Sequence, residues 1–176
     1  MTDNSRYSFG EWPMDLLIDY VLKVHHRAVR EKGPGTLALI RKVKSQNPAL
    51  GEVEMLFEQS LSDLDIHLMK EEQVLFPYIL DLFDASRNGS PIGPMHCGTV
   101  RNPISVMMSD HDGELERHER IAALLHGYTA PAGASADYQE MVHQLRAFSE
   151  ALGEHTHVEN DHIFPMAIAL EASLVK

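Results

Sequence analysis

At 176 residues with 44% hydrophobic content, the chain is long enough for one domain with a substantial core, and a single domain over 1–176 is expected. Its one cysteine, Cys97, excludes an internal disulfide and a cysteine-ligated cluster held by this chain alone, which suits a reducing cytosol. The net charge of -11 argues against nucleic acid and anionic membranes as partners, and no apolar run approaches the roughly 20 residues of a membrane span, so a soluble, cytoplasmic, unprocessed protein is expected.

In chain order, Trp12-Pro13, Asn47-Pro48 and Asn102-Pro103 each place proline at a first helical position, the latter two behind an asparagine cap. A fourth helix is expected near Ser135, after the turn-rich run 131–135. The spacing predicts helices over about 13–46, 50–83, 103–128 and 135–172, with a Gly-, Pro- and Ser-rich connection over 84–102. Gly33-Pro34-Gly35 should break or kink the first helix, because proline lacks a donor and clashes with the preceding turn. No strand-like alternation occurs, so the class is all-α: an antiparallel up-down four-helix bundle.

The motif His-x-x-x-Glu-x-x-x-x-Phe-Pro stands in this chain twice, at His67, Glu71, Phe76, Pro77 and, 88 residues on, at His155, Glu159, Phe164, Pro165. Residues i and i+4 share a helix face, so each copy offers an imidazole and a carboxylate to a common point. A further histidine precedes each copy, His25 by 42 residues and His111 by 44. Two helical hairpins would thus converge four histidines and two glutamates. Each candidate interrupts an apolar stripe, as in Met14, Ile18, Leu22, His25, Val29 and in Ile104, Met108, His111, Leu115. Counted from the hairpin turns at ~1.5 Å per residue, all four histidines reach one layer.

A single histidine on such a face reads as a hydrogen-bonded core residue, and protonated histidines paired with glutamates are the competing reading for all six. Against it, two unpartnered buried carboxylates would cost several kcal/mol each, a large part of the ~5–15 kcal/mol stability of a domain. Structural zinc wants four ligands and usually thiolates. Ferritin-type di-iron sites use Glu-x-x-His and four carboxylates, whereas here His precedes Glu by four. Imidazole with carboxylate suits iron, manganese or zinc, and the count points to a pair. Two bridging glutamates, two histidines per metal and an oxo or hydroxo bridge leave a position for a small ligand such as dioxygen or nitric oxide.

The pattern His25, His67/Glu71, His111 and His155/Glu159 resembles the hemerythrin-like, His-His-Glu cation-binding domain. Within it, the strings from His67 to Pro77, Pro103 to Asp112 and His155 to Asn160 are similar to di-iron proteins that repair iron-sulfur centres. The resemblance runs from about Trp12 to the C-terminus. It implies a non-haem di-iron site, bridged by Glu71 and Glu159 and ligated by the four histidines. The implied role is repair of iron-sulfur clusters after nitrosative or oxidative damage by supply of labile iron, with iron-sulfur proteins as clients. Two alternatives stand beside it: reversible binding or sensing of oxygen or nitric oxide, and enzymatic consumption of nitric oxide or peroxide. The paired cysteines of a small N-terminal domain common in the repair family are not found here, nor is a histidine near 44–47 that some members carry.

The other polar residues receive secondary readings. His118 and His162, each seven residues beyond a candidate ligand, are expected to pack in the core with a hydrogen bond. His26, His96, His126, His143 and His157 are expected at solvent, and Glu72 at the surface or behind a ligand. Cys97 is an isolated loop thiol. The prolines of the two Phe-Pro pairs should bend their helices just beyond the ligands, leaving the carbonyls of Gln73 and Asp161 without helical partners.

Overall fold

A computed structural model of the protein describes residues 7–93, 95–96 and 98–175. Four rods form an antiparallel up-down bundle. The first comprises α1 (Met14–Tyr20), a π-turn (Val21–His26) and α2 (Arg27–Lys44); the second comprises α3 (Gly51–Lys70), a π-turn (Glu71–Leu75) and α4 (Phe76–Asn88). The third is α5 (Arg101–Leu124), and the fourth runs through α6 (Ala136–Val158), a π-turn (Glu159–Ile163) and α7 (Phe164–Leu174). α2 packs on α3 and α6, α5 also packs on α3 and α6, and α4 packs on α1 and α7. Among the described residues no β-strand occurs, only an isolated bridge between Met95 and Gly98 in the connection. Cys97 lies outside the described residues.

The helix ends follow local chemistry. α6 begins where expected, beside Ser135, which caps it with its Oγ accepting the Tyr138 N–H at 3.2 Å. α4 runs past the expected end at 83 and stops at Gly89, whose φ of +71° suits a residue without Cβ and whose N–H donates to the Ala85 carbonyl. The two asparagine caps do not form. Asn47 turns back to donate to the Val43 carbonyl at 3.0 Å, and Asn102 lies within the first turn of α5, which starts at Arg101.

Gly33-Pro34-Gly35 neither breaks nor ends the first rod, since α2 continues as helix from Arg27 to Lys44 with Pro34 inside it. The missing proline donor costs ~3 kcal/mol, but α2 is held on both sides by α3 and α6. Gly33 lets α3 come close: a Cβ there would stand 2.5 Å from Leu61 Cδ2.

Two apolar clusters fill the ends of the bundle. One gathers Phe9, Met14, Ile18, Phe76, Ile104 and Phe164 with their neighbours. The other gathers Ile40, Val53, Phe57, Ile121, Met141 and Leu145. Between them every rod turns polar inside: His25 and His26, Ser60 with His67 and Glu71, His111 with Glu114 and His118, His155 with Thr156 and Glu159 are all buried. Apolar layers lie above and below this polar layer.

Candidate metal centre

Each Phe-Pro pair shapes the backbone that carries a glutamate. Pro77 and Pro165 have no N–H, and the turn ahead of each widens so that the preceding Phe76 and Phe164 N–H groups reach back five residues to the carbonyls of Glu71 and Glu159. The expected disturbance of the helix thus takes the form of a π-turn that contains the glutamate. The first rod carries a third such turn, which contains its two histidines and in which the Arg27 N–H donates to the Leu22 carbonyl.

That third turn decides which of the tandem histidines enters the cluster. Entering it, the buried stripe runs Met14, Ile18, Val21, His25; leaving it, the stripe runs His26, Gly33, Thr36, Ile40, Val43, displaced by one residue. A π-turn inserts one residue into the helical count and rotates everything beyond it by about 100° relative to a straight α-helix. His26, expected at solvent, is therefore wholly buried at the centre. Reading back by sevens from Ile40 through Gly33 lands on His26, which is the signal the sequence offered.

Two groups of donor atoms form, His26, Glu71, His155, Glu159 and His67, Glu71, His111, Glu159, the atoms of each lying within 4.8 Å of one another. The two carboxylates belong to both groups, one oxygen to each side. Glu71 Oε2 is 3.4 Å from His26 Nε2 and its Oε1 is 3.3 Å from His67 Nε2. Glu159 Oε1 is 2.8 Å from His155 Nε2, and its Oε2 is 3.0 Å from His111 Nε2. All four rings thus present Nε2 inward. Of the expected ligands, His67, Glu71, His111, His155 and Glu159 come together; His25 does not join them, and His26 stands in its place.

Three of the four outer ring nitrogens have a partner behind them. His26 Nδ1 meets Glu72 Oε1 at 2.8 Å, His111 Nδ1 meets Asn160 Oδ1 at 2.9 Å, and His67 Nδ1 lies 3.4 Å from Asp110 Oδ2. Glu72 is fixed by Arg30, with contacts of 2.6 and 3.1 Å, and although burial opposes it, Arg30 and His26 hold its carboxyl below the usual range. An ionised carboxylate only accepts, so His26 Nδ1 carries the proton and Nε2 is left to bind.

His25 is buried beside the cluster. Its Nε2 lies 3.3 Å from Glu154 Oε1, which also accepts the Tyr20 hydroxyl at 2.6 Å, and its ring stacks on His155 at 5.7 Å. Burial and the neighbouring His155 push it down to about 4. His118 is the core histidine expected: Ser60 Oγ lies 3.1 Å from its Nε2, its ring stacks on Phe148, and burial with nearby Arg117 lowers it to about 4. His162 is half-buried with its ring near Phe9 and His157, while His157 pairs with Asp161 at 2.7 Å. His96, His126 and His143 are exposed as expected.

A family model described as the hemerythrin HHE cation binding domain matches residues 17–167. The chain belongs to this hemerythrin family. It is similar to the iron-sulfur cluster repair protein YtfE of Musicola paradisiaca (strain Ech703), 31% identical over 91% of this chain and 68% of that protein. It is likewise similar to YtfE of Pectobacterium carotovorum subsp. carotovorum (strain PC1), 29% identical over 90% of this chain and 67% of that protein. A probable iron-sulfur cluster repair protein of Haemophilus influenzae is 30% identical over 86% of this chain and 64% of its own length.

The donor set of this hemerythrin-family centre fits a cation. Both Glu71 oxygens, His26 Nε2 and Glu159 Oε2 are buried without a hydrogen-bond partner, an arrangement that costs several kcal/mol unless a charge meets them. Burial disfavours charge on His26, yet Glu159 and Glu71 together raise it to about 9. Burial is similarly outweighed at Glu159, which His155, His111 and His26 hold well below the carboxylate range. A bound cation competes with the His26 proton for the same lone pair. Four imidazole nitrogens with four carboxylate oxygens suit iron, manganese or zinc.

Two cavities border the centre. One of about 480 Å³ lies between α2 and α6, with His25, Val29, Ala147, Phe148, Leu152 and His155 in its walls. The other, about 280 Å³, lies between α3 and α5 and is lined by Asp63, His67, Asp110, Glu114 and Arg117. Among the described residues no helix is long and apolar enough to cross a membrane.

Proposed function

We propose that the centre would hold two iron ions, with His26 and His155 as donors on one side, His67 and His111 on the other, and Glu71 and Glu159 offering an oxygen to each, and that the protein serves repair of damaged iron-sulfur clusters by supplying labile iron. The observation that carries this reading is the division of each buried carboxylate, one oxygen toward each histidine pair. The names of the relatives, iron-sulfur cluster repair proteins, support the role. An iron pair bound there would supply ferrous ion and one-electron chemistry. The chain's own part would be to hold the ions by four histidines, three of them supported from behind, and to release one when a client binds it more strongly. Nitrosative or oxidative stress in a cytoplasmic setting is the context in which clients would need it.

Reduced, iron-loaded protein should restore activity to an enzyme whose iron-sulfur cluster has lost an iron, while an equal amount of ferrous ion held by a chelator should not. No restoration by the loaded protein would sink the repair role. A second reading, reversible binding of oxygen or nitric oxide, is favoured by the largely apolar cavity that reaches His155. It predicts an absorbance change that reverses on cycling between the gas and argon.

A further inference from the structure

The two hairpins support their histidines by one scheme with different residues. Glu72 and Asn160 each follow a bridging glutamate by one position, and each backs the histidine on the first rod of its own hairpin: Glu72 backs His26, and Asn160 backs His111. Asp110 and His25 each precede a first-rod histidine by one position, and each faces the second-rod histidine of the other hairpin. Asp110 reaches His67 Nδ1 only at 3.4 Å and is shared with Lys70 at the same distance. His25 stacks on His155, whose Nδ1 has no hydrogen-bond partner.

We propose that the two halves of the centre bind metal unequally, the His26/His155 half more tightly, with Glu72 and Asn160 as the positioning residues that set the difference. The inference rests on the metal-ligand set given above. A hydrogen bond from imidazole N–H to an ionised carboxylate is roughly twice as strong as one to a neutral amide, and it raises the basicity of the nitrogen that binds the metal. Only His26 has a close bond of the first kind, at 2.8 Å, and Arg30 locks its acceptor in place. His111 has the neutral kind. The second-rod histidines add little contrast, since the His67 contact exceeds ordinary N–H···O distances and His155 has none. The metal between His67 and His111 is therefore the one given up first, while the other stays behind.

Calorimetric titration of chelator-stripped protein with cobalt(II) tests this on the wild type, Glu72→Gln and Asn160→Asp. Wild type should take up two equivalents in two steps. Glu72→Gln should weaken the tighter step ~10-fold or more and leave the other in place, while Asn160→Asp should tighten the weaker step. That gain cannot come from misfolding. Two equivalents of equal affinity, a Glu72→Gln effect confined to the weaker step, or no gain in Asn160→Asp would overturn the inference while leaving the ligand set standing. Fewer than two equivalents in folded wild type would overturn the ligand set, and the inference with it.

Discussion

His67 Nε2 and His111 Nε2 lie 3.1 Å apart, on rods from opposite hairpins. Two imidazole lone pairs do not approach so closely without a proton or a cation between them. Burial lowers both rings, but Glu71 beside His67 and Glu159 beside His111 override it and raise both. This corner of the bundle thus draws positive charge inward.

Metal should consequently stabilise the fold. Free ligand at 100 times its dissociation constant adds about 2.7 kcal/mol, which for a chain of this size raises Tm by roughly 5–10 °C. Calorimetry of the iron(II)-loaded protein with and without excess chelator measures it, and equal transitions would count against the centre.

The tandem histidines separate by mutation. His26→Ala should lose at least one metal per chain by elemental analysis, as should His67→Ala and Glu159→Ala. His25→Ala should keep both metals, because His25 faces Glu154 and Tyr20. Retention of full metal by folded His26→Ala would return the ligand role to His25.

Stripped protein should be most stable near pH 6.5. His25 and His118 sit at about 4 when folded against 6.5 unfolded, so between these values only the unfolded chain takes up their protons. Stability therefore rises with pH across that window, by up to on the order of 3 kcal/mol per group. His26, at about 9, works the other way: its contribution is full below 6.5 and fades as pH rises through 9. Urea unfolding across pH should show both limbs, the acid limb flattened in His118→Gln and the alkaline limb absent from loaded protein.

A structural carboxylate lies away from the metal. Glu171 on α7 is buried and accepts the Val100 N–H at 2.9 and 3.0 Å and the Tyr78 hydroxyl at 2.9 Å, tying the fourth rod to the start of α5. Glu171→Ala leaves the buried Val100 N–H without its acceptor and should cost about 1–3 kcal/mol with metal content unchanged. A fall in metal stoichiometry of the folded variant would link this anchor to the centre.

Most of the architecture was written in local patterns. The i, i+4 pairs His67/Glu71 and His155/Glu159, repeated 88 residues apart on apolar stripes, dictate two helices with donors on their inner faces. His111 follows because α5 is an uninterrupted α-helix, for which period 3.6 holds from end to end. The start of α6 near Ser135 was legible for the same reason, as the turn-rich run ahead of it is local.

What the sequence alone determined was therefore the all-α class, the hairpin repeat and five of the six residues that meet at the centre. Tertiary structure decided the rest. The π-turn at Val21–His26 shifts the helical phase by one residue, and since a straight helix is the local default, only packing against the other rods selects His26 over His25. Pro34 is likewise kept inside α2 by neighbours on α3 and α6 that lie far away in sequence. The sharing of each carboxylate between two histidine pairs needs all four rods at once, and no single helix encodes it.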